Sequence, residues 1–169
     1  EGDDRLTVSA REIEVPADAI EHLRRADPRM AALAERVGPV RYTVDPDLWR
    51  SLVGSIVGQQ LSVAAARTIR KRVAALAATG FPTPAHLLTL PDETLRGCGL
   101  SRAKVLYVRD LAERWEAGQL DSAAIAAMSD DEAIEALVRV KGVGRWTAEM
   151  VLIFSLGRPD VLAVDDLGL

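Results

Sequence analysis

The stretch LVRVKGVGRWTAEMV, residues 137–151, decides the fold. It reads as the end of one helix, a tight turn containing Gly142 and Gly144, and the immediate start of a second helix. Glycine permits the close backbone approach that such a turn demands. A helix starting straight out of a turn leaves its first N–H groups unpaired, and its dipole adds partial positive charge there. An anion such as phosphate is the natural ligand of that end. Arg139, Lys141 and Arg145 surround the turn, so the segment suits a grip on a nucleic-acid backbone without readout of bases. Taken alone, the same pattern also serves as a plain corner between two helices.

Working outward, the second helix is apolar on nearly every face from Met150 to Leu156, which predicts a run through the centre of the fold. Before the turn, Ser129 and Glu132 form a Ser-x-x-Glu capping box ahead of Ile134, Leu137 and Val138. Helical spacing also links Leu48, Leu52 and Ile56; Ala65, Ile69, Val73 and Leu76; and Val105, Val108, Ala112 and Trp115. Asp27-Pro28, Asp45-Pro46 and Thr83-Pro84 each set a capping residue before a proline suited to the first helical position. Gly38, Gly80, Gly118 and Gly157 mark helix ends. The expectation is a compact all-α fold of about eight to ten short helices. Residues Leu6 to Val15 alternate weakly and predict a short strand pair or an extended arm, so the chain divides into an arm at 1–15 and a helical domain at 16–169.

A hydrophobic content of 49% in 169 residues supplies a real core. The net charge of −4 argues against a protein that coats nucleic acid through a broad basic surface. Basic residues bunch locally at Arg67, Arg70, Lys71 and Arg72, at Arg96, Arg102 and Lys104, and around the turn; each bunch by itself also fits a solvated helix face. There is no apolar run of about 18 residues and no basic-then-apolar leader, so no membrane partner is expected and a cytoplasmic location follows by default. Cys98 is alone, which leaves no internal disulfide and no cysteine metal site; it reads as a small core residue. His22 and His86 lie outside every motif and read as surface residues. Glu1 in place of a methionine, and an ending at Leu169 where a new helical segment begins, read as the ends of a longer chain.

Three ordered blocks carry a resemblance. Leu137, Val140, Gly142, Val143, Gly144 and Ala148 fill a hairpin pattern that is followed at the familiar distance by Val164-Asp165-Asp166. Upstream stand GSIVGQQLSVAAARTI at 54–69 and GLSRAKVLYVRDLA at 99–112. On these blocks the chain resembles the helix-hairpin-helix superfamily of DNA glycosylases, of the 3-methyladenine DNA glycosylase II type. The resemblance implies a two-lobed helical domain that flips a base out of duplex DNA and hydrolyses its bond to the sugar. It assigns catalysis to Asp166, with Asp165 a capping neighbour, and a base pocket to Trp146 and Met150. It gives Gln60, with Leu61 as the lesser candidate, the gap left by the flipped nucleotide. Gly142, Val143, Gly144, Arg145 and Thr147 become the DNA-holding residues. The backbone carbonyls of Val138, Val140 and Val143 become ligands of a structural monovalent cation, and no other cofactor is required. The implied partner is double-stranded DNA containing alkylated bases, bound by a monomer.

Trp146 occupies the position of the lysine that attacks the sugar in bifunctional relatives, and an indole forms no Schiff base. The implied enzyme is therefore monofunctional and leaves an abasic site without nicking the strand. Met150 stands where the bacterial enzyme of this type has an aromatic residue, and the residues before Pro16 are too few for that enzyme's larger N-terminal β domain. The competing readings are a non-catalytic helix-hairpin-helix module that only binds DNA and a helical protein-interaction domain. Without the resemblance, Asp165 and Asp166 read as helix caps, Trp146 as a core aromatic and Gln60 as a polar loop residue.

Overall fold

A computed structural model describes residues 10–78, 80–166 and 168. Strand β1 (Arg11–Glu14) is followed by a helical hairpin, α1 (Ala17–Ala26) and α2 (Pro28–Val37), and then by β2 (Arg41–Val44). The strand expected before Pro16 forms, and its partner among the described residues is β2, beyond Pro16. The α1–α2 hairpin reverses the chain and lays β2 antiparallel on β1, with Ile13 opposite Tyr42 and Glu14 opposite Arg41. Arg41 braces the pair through Glu14 at 2.9 Å and Glu12 at 3.6 Å. The residues from Leu6 to Ser9 lie outside the described residues.

Eight further helices build the rest: α3 (Leu48–Gly58), α4 (Val63–Ala74), α5 (Pro84–Thr89), α6 (Asp92–Gly97), α7 (Arg102–Glu116), α8 (Ser122–Ala127), α9 (Asp130–Leu137) and α10 (Arg145–Phe154). Their starts are set by local chemistry. Asp27, Thr83 and Ser129 cap α2, α5 and α9 as their sequence signals require, and Ser129 and Glu132 form the reciprocal capping box. Helix α3 departs from expectation, because its cap is Asp47 and not Asp45. Asp45 is taken by the guanidinium of Arg50 at 2.7 Å, and its backbone N–H reaches the carbonyl of Phe154, which fastens the end of β2 to the end of α10.

The core lies where α3, α7, α9 and α10 meet. Leu48, Leu52 and Ile56 of α3, Leu111 of α7, Leu137 of α9 and Leu152 of α10 are fully buried. Burying each such side chain stabilises the fold by about 1.5–3 kcal/mol relative to leaving it exposed. Cys98 is buried, as expected of a small core residue. The Trp49 and Trp115 rings meet edge to face at 5.5 Å, and the Trp49 indole N–H donates to the Pro82 carbonyl, which closes the core beneath the α4–α5 connection. Helix α10 is less completely enclosed than its composition predicts: Val151 and Leu152 are buried, whereas Phe154 is 48% exposed and meets the Tyr42 ring edge to face. Its last turn reaches the two-stranded sheet, which covers one side of the helix and leaves the other to solvent. Among the described residues no helix is long and apolar enough to cross a membrane.

Candidate functional site

Two short segments frame one cavity, the first through the start of α10 and the second directly. The first is the hairpin between α9 and α10. The Val140 N–H bonds the Leu137 carbonyl, the Val143 N–H bonds the Val140 carbonyl, and Gly142 turns the chain at φ +79°. Gly144 then caps α10 without any side-chain acceptor, so the N–H groups of Arg145, Trp146 and Thr147 have no intrahelical partner. An anion placed at this end would meet three aimed donors and the positive end of a dipole.

The hairpin rests on α7. A Cβ at position 142 would lie 2.2 Å from the Tyr107 ring, so only glycine lets the turn sit on that ring. One turn further along α7, the buried Asp110 accepts the Lys141 backbone N–H at 3.0 Å and pairs with Arg114 at 2.9 Å and with the Lys141 ammonium at 3.3 Å. Burial pushes the Asp110 carboxyl up, but the Lys141 N–H and the two cations outweigh it and hold the group below its ordinary value. Asp110 is thus a negative pin beneath the turn.

The second segment is the loop between α3 and α4. Gln60 adopts φ +56°, the one non-glycine residue in the left-handed region among the described residues, at a cost of about 1–3 kcal/mol. Leu61 beside it is 40% exposed. Lys104, also on α7, donates to the carbonyls of Val57 at 2.8 Å and Gln59 at 2.7 Å, which anchors the end of α3. The Gln59 side-chain amide donates to the Gly142 carbonyl at 2.7 Å and joins the loop to the hairpin. Lys104, Tyr107 and Asp110 follow one another at a spacing of three on α7, so one helix face holds both segments in register.

Between the segments lies a cavity of about 370 Å³ lined by Gln60, Leu61, Arg70, Trp146, Thr147 and Met150, among others. Trp146 is 42% exposed, and its indole N–H donates to Asp166 Oδ2 at 2.8 Å. The other Asp166 oxygen accepts the Gly168 N–H at 2.7 Å. The Gly168 N–H first and the indole second hold the Asp166 carboxyl below its ordinary value. Asp166 thus stands outside the cavity lining and meets the pocket through the indole. The segment leading to it is secured by Arg158, which pairs with Asp130 and donates to the Met128 carbonyl.

The sequence-predicted residues divide. Gln60, Leu61, Trp146, Thr147, Met150 and Asp166 converge on this one place. Val143 and Thr147 are buried, so at the hairpin they offer main-chain groups to a surface ligand and not side chains. Lys141 and Arg145, read as free grips, are paired with Asp110 and Glu149, the latter at 2.9 Å. Their charge is therefore partly compensated within the protein. Sequence reasoning gave no role to Tyr107 or Asp110 and left Lys104 in a solvated cluster; the signal was their spacing of three along α7. The hairpin carbonyls of Val138, Val140 and Val143 are neutral oxygen donors of the kind hard cations prefer, and the Val140 carbonyl already accepts the Val143 N–H. Among the described residues no group of acidic, histidine or cysteine side chains could hold a metal.

Comparison with known proteins agrees with this geometry. The DNA-3-methyladenine glycosylase 1 of Schizosaccharomyces pombe is 36% identical over 153 residues, covering 88% of this chain and 67% of that protein. A solved DNA-3-methyladenine glycosidase from Bacillus halodurans superposes with a TM-score of 0.84 at 39% identity, covering 94% of this chain and 73% of that one. The Schizosaccharomyces pombe 3-methyladenine DNA glycosylase solved in complex with abasic DNA gives a TM-score of 0.83 at 34% identity, covering 89% of this chain and 76% of its own. A family model matches residues 53–169, from α3 through the hairpin to the two aspartates, and with it the chain belongs to the HhH-GPD superfamily of base excision DNA repair proteins.

Proposed function

We propose that this chain is a monofunctional DNA glycosylase of the 3-methyladenine DNA glycosylase II type, which hydrolyses the bond between an alkylated base and deoxyribose in duplex DNA. The observation that carries the reading is the Trp146–Asp166 hydrogen bond at the rim of the cavity. It places an aromatic face and a carboxylate side by side, where a flipped base and its sugar would lie. The relatives named for 3-methyladenine, and the one solved with abasic DNA, support the substrate class.

In this mechanism the N-terminal end of α10 and the hairpin main chain hold phosphate, and Gln60, with Leu61 behind it, enters the stack in place of the flipped nucleotide. The base stacks on Trp146; a cationic alkylpurine gains about 0.5–2 kcal/mol there from cation–π attraction. The C1′–N bond breaks with its electron pair leaving on the base. The Asp166 carboxylate stabilises the positive charge that develops on the sugar or orients the water whose oxygen bonds C1′. With tryptophan at position 146 no covalent imine forms, and the product is an abasic site in an unbroken strand. A monovalent cation held by the carbonyls of Val138, Val140 and Val143 would add positive charge beside the bound phosphate. The enzyme acts as a monomer, requires no other cofactor and works in the cytoplasm.

Single-turnover excision from methylated duplex tests the assignment. Asp166→Asn is expected to slow release by about 10²–10³ while lesion binding survives; Asp165→Asn is expected to cost a few-fold at most. The depressed Asp166 carboxyl stays ionised below the ordinary aspartate range, so the rate should hold through mildly acid pH and fall only as pH drops through that lowered value. Equal losses in the two variants would move the active carboxylate elsewhere. No loss in either would favour the second reading, a DNA-binding module without chemistry, which leaves the Trp146–Asp166 pair without a role.

A further inference from the structure

Two clefts meet at Arg70. One is the cavity between hairpin and loop; the other, of about 430 Å³, extends past Phe81, Val151 and Phe154 to the Arg50–Asp45 ion pair, and both share Ser55, Arg70 and Met150 in their walls. Arg70 starts on α4, within a basic run that reads in sequence as a solvated face, and turns across α3. Two glycines one turn apart open the way. The Arg70 Nε donates to the Gly54 carbonyl at 3.0 Å, and a Cβ at position 58 would stand 2.7 Å from its Nη2. The guanidinium therefore lies along a groove that a side chain at either position would narrow.

Arg70 stays exposed to solvent with its Nε held by α3, and it differs from the arginines that brace this fold through ion pairs. Arg50, Arg109, Arg114, Arg145 and Arg158 each have a carboxylate partner. Among the described residues no carboxylate pairs with Arg70, and its two Nη groups have no protein acceptor. A guanidinium carries five N–H donors in a planar fork, and here one is spent on Gly54. Partial loss of water lowers its affinity for the proton, in keeping with a cation that no neighbour compensates.

We propose that Arg70 is a specificity-determining residue of the base pocket: its unpaired donors favour neutral lesion bases that carry an oxygen or nitrogen acceptor, and its charge disfavours cationic alkylpurines. This rests on the glycosylase reading above and refines its substrate class. Trp146 and Arg70 then pull in opposite directions, since an aromatic face attracts a cationic base and a guanidinium repels it. A pocket walled by both accepts charged and neutral lesions, with Arg70 setting the ratio. A site that donates a hydrogen bond rejects a base that leaves the donor unpaired.

Hypoxanthine and 7-methylguanine separate the effect, because both present a 6-oxo acceptor and only the second is cationic. Single-turnover release of each from duplex DNA is measured for wild type, Arg70→Met, Arg70→Lys and Gly58→Ala, with thermal unfolding of each protein. Arg70→Met should lower the hypoxanthine rate about tenfold and leave the 7-methylguanine rate unchanged or raised. Arg70→Lys should restore most of the charge discrimination and little of the hypoxanthine rate. Gly58→Ala, which displaces the guanidinium and keeps it, should move the ratio the same way by a smaller factor, and it serves if Arg70→Met does not fold. Equal loss on both bases, or a wild type that releases 7-methylguanine and no hypoxanthine, overturns the proposal and leaves the glycosylase reading intact. A wild type that binds lesion duplexes and releases neither base overturns the glycosylase reading, and the proposal with it.

Discussion

The hairpin at 140–144, which leads into the α10 wall of the cavity, and the loop at 59–62, which lines that cavity directly, are built in opposite ways. The hairpin takes its shape from glycine and from what lies beneath it: Gly142 turns at φ +79° on the Tyr107 ring, and Asp110 pins the adjoining N–H. The loop puts a long polar side chain, Gln60, into the left-handed conformation at φ +56° and is held by Lys104 and Gln59 instead. Under the proposed function the hairpin would meet the same phosphates on any DNA sequence through main chain alone, whereas the loop would enter the duplex with the Gln60 side chain, a use that fits a strained side chain held where glycine would relax.

Breaking the hairpin should cost most. Gly142→Ala combines a left-handed backbone with a Cβ 2.2 Å from the Tyr107 ring, and the two effects together should destabilise the fold by about 2–4 kcal/mol. Affinity for damaged and undamaged duplex should fall together. Gly144→Ala is its control: nothing lies within 4 Å of the added methyl and the backbone is extended, so only the poorer N-cap of alanine remains and stability should fall by about 1 kcal/mol or less. Any loss of affinity in that variant then reports the approach of a phosphate. Thermal unfolding beside duplex titration separates the two glycines, and equal destabilisation would contradict the Tyr107 contact.

Lys104→Met keeps the aliphatic stem and removes the donors to the Val57 and Gln59 carbonyls. The loop should lose its register while the hairpin keeps Asp110, so excision should drop about tenfold and affinity for undamaged duplex should hardly move. A fluorescent base analogue at the lesion site reads the flipping step directly. Parallel losses in both quantities would mean that Lys104 supports the whole interface and not the loop. The smallest expected effect is on stability in Gln60→Gly, which relieves the left-handed side chain and should stabilise the fold by about 1 kcal/mol or less while slowing excision. A destabilised variant would show that Gln60 is not strained.

Features written in local sequence were readable from it. The capping box at Ser129, the caps at Asp27 and Thr83, the apolar stripes of α3 and α7 and the Gly-x-Gly turn each depend on residues a few positions apart. Trp146 and Asp166, read through a family resemblance, meet in space across twenty positions. What escaped depends on distant partners. Strand β1 waits for β2 beyond two helices, and Asp45 looks like a cap until Arg50 and Phe154 claim it. Lys141 and Arg145 look free until Asp110 and Glu149 are placed. Arg70 sits in a solvent-facing basic run and stays exposed, and its partner on α3, the Gly54 carbonyl sixteen positions away, is invisible in local sequence. The face of α7 that holds hairpin and loop together has a plain spacing of three, which acquires meaning when both segments rest on it.

As proposed here, this interface performs chemistry on DNA and does so without cutting the strand. Its most direct test is single-turnover incubation of the wild-type chain with duplex DNA carrying methylated purines, scoring free base and strand breaks separately, the breaks before and after alkali. Free base should appear together with strands that break only after alkali. Breaks that appear with the free base before alkali would contradict the monofunctional assignment at Trp146, and tight binding with no base released would contradict catalysis itself.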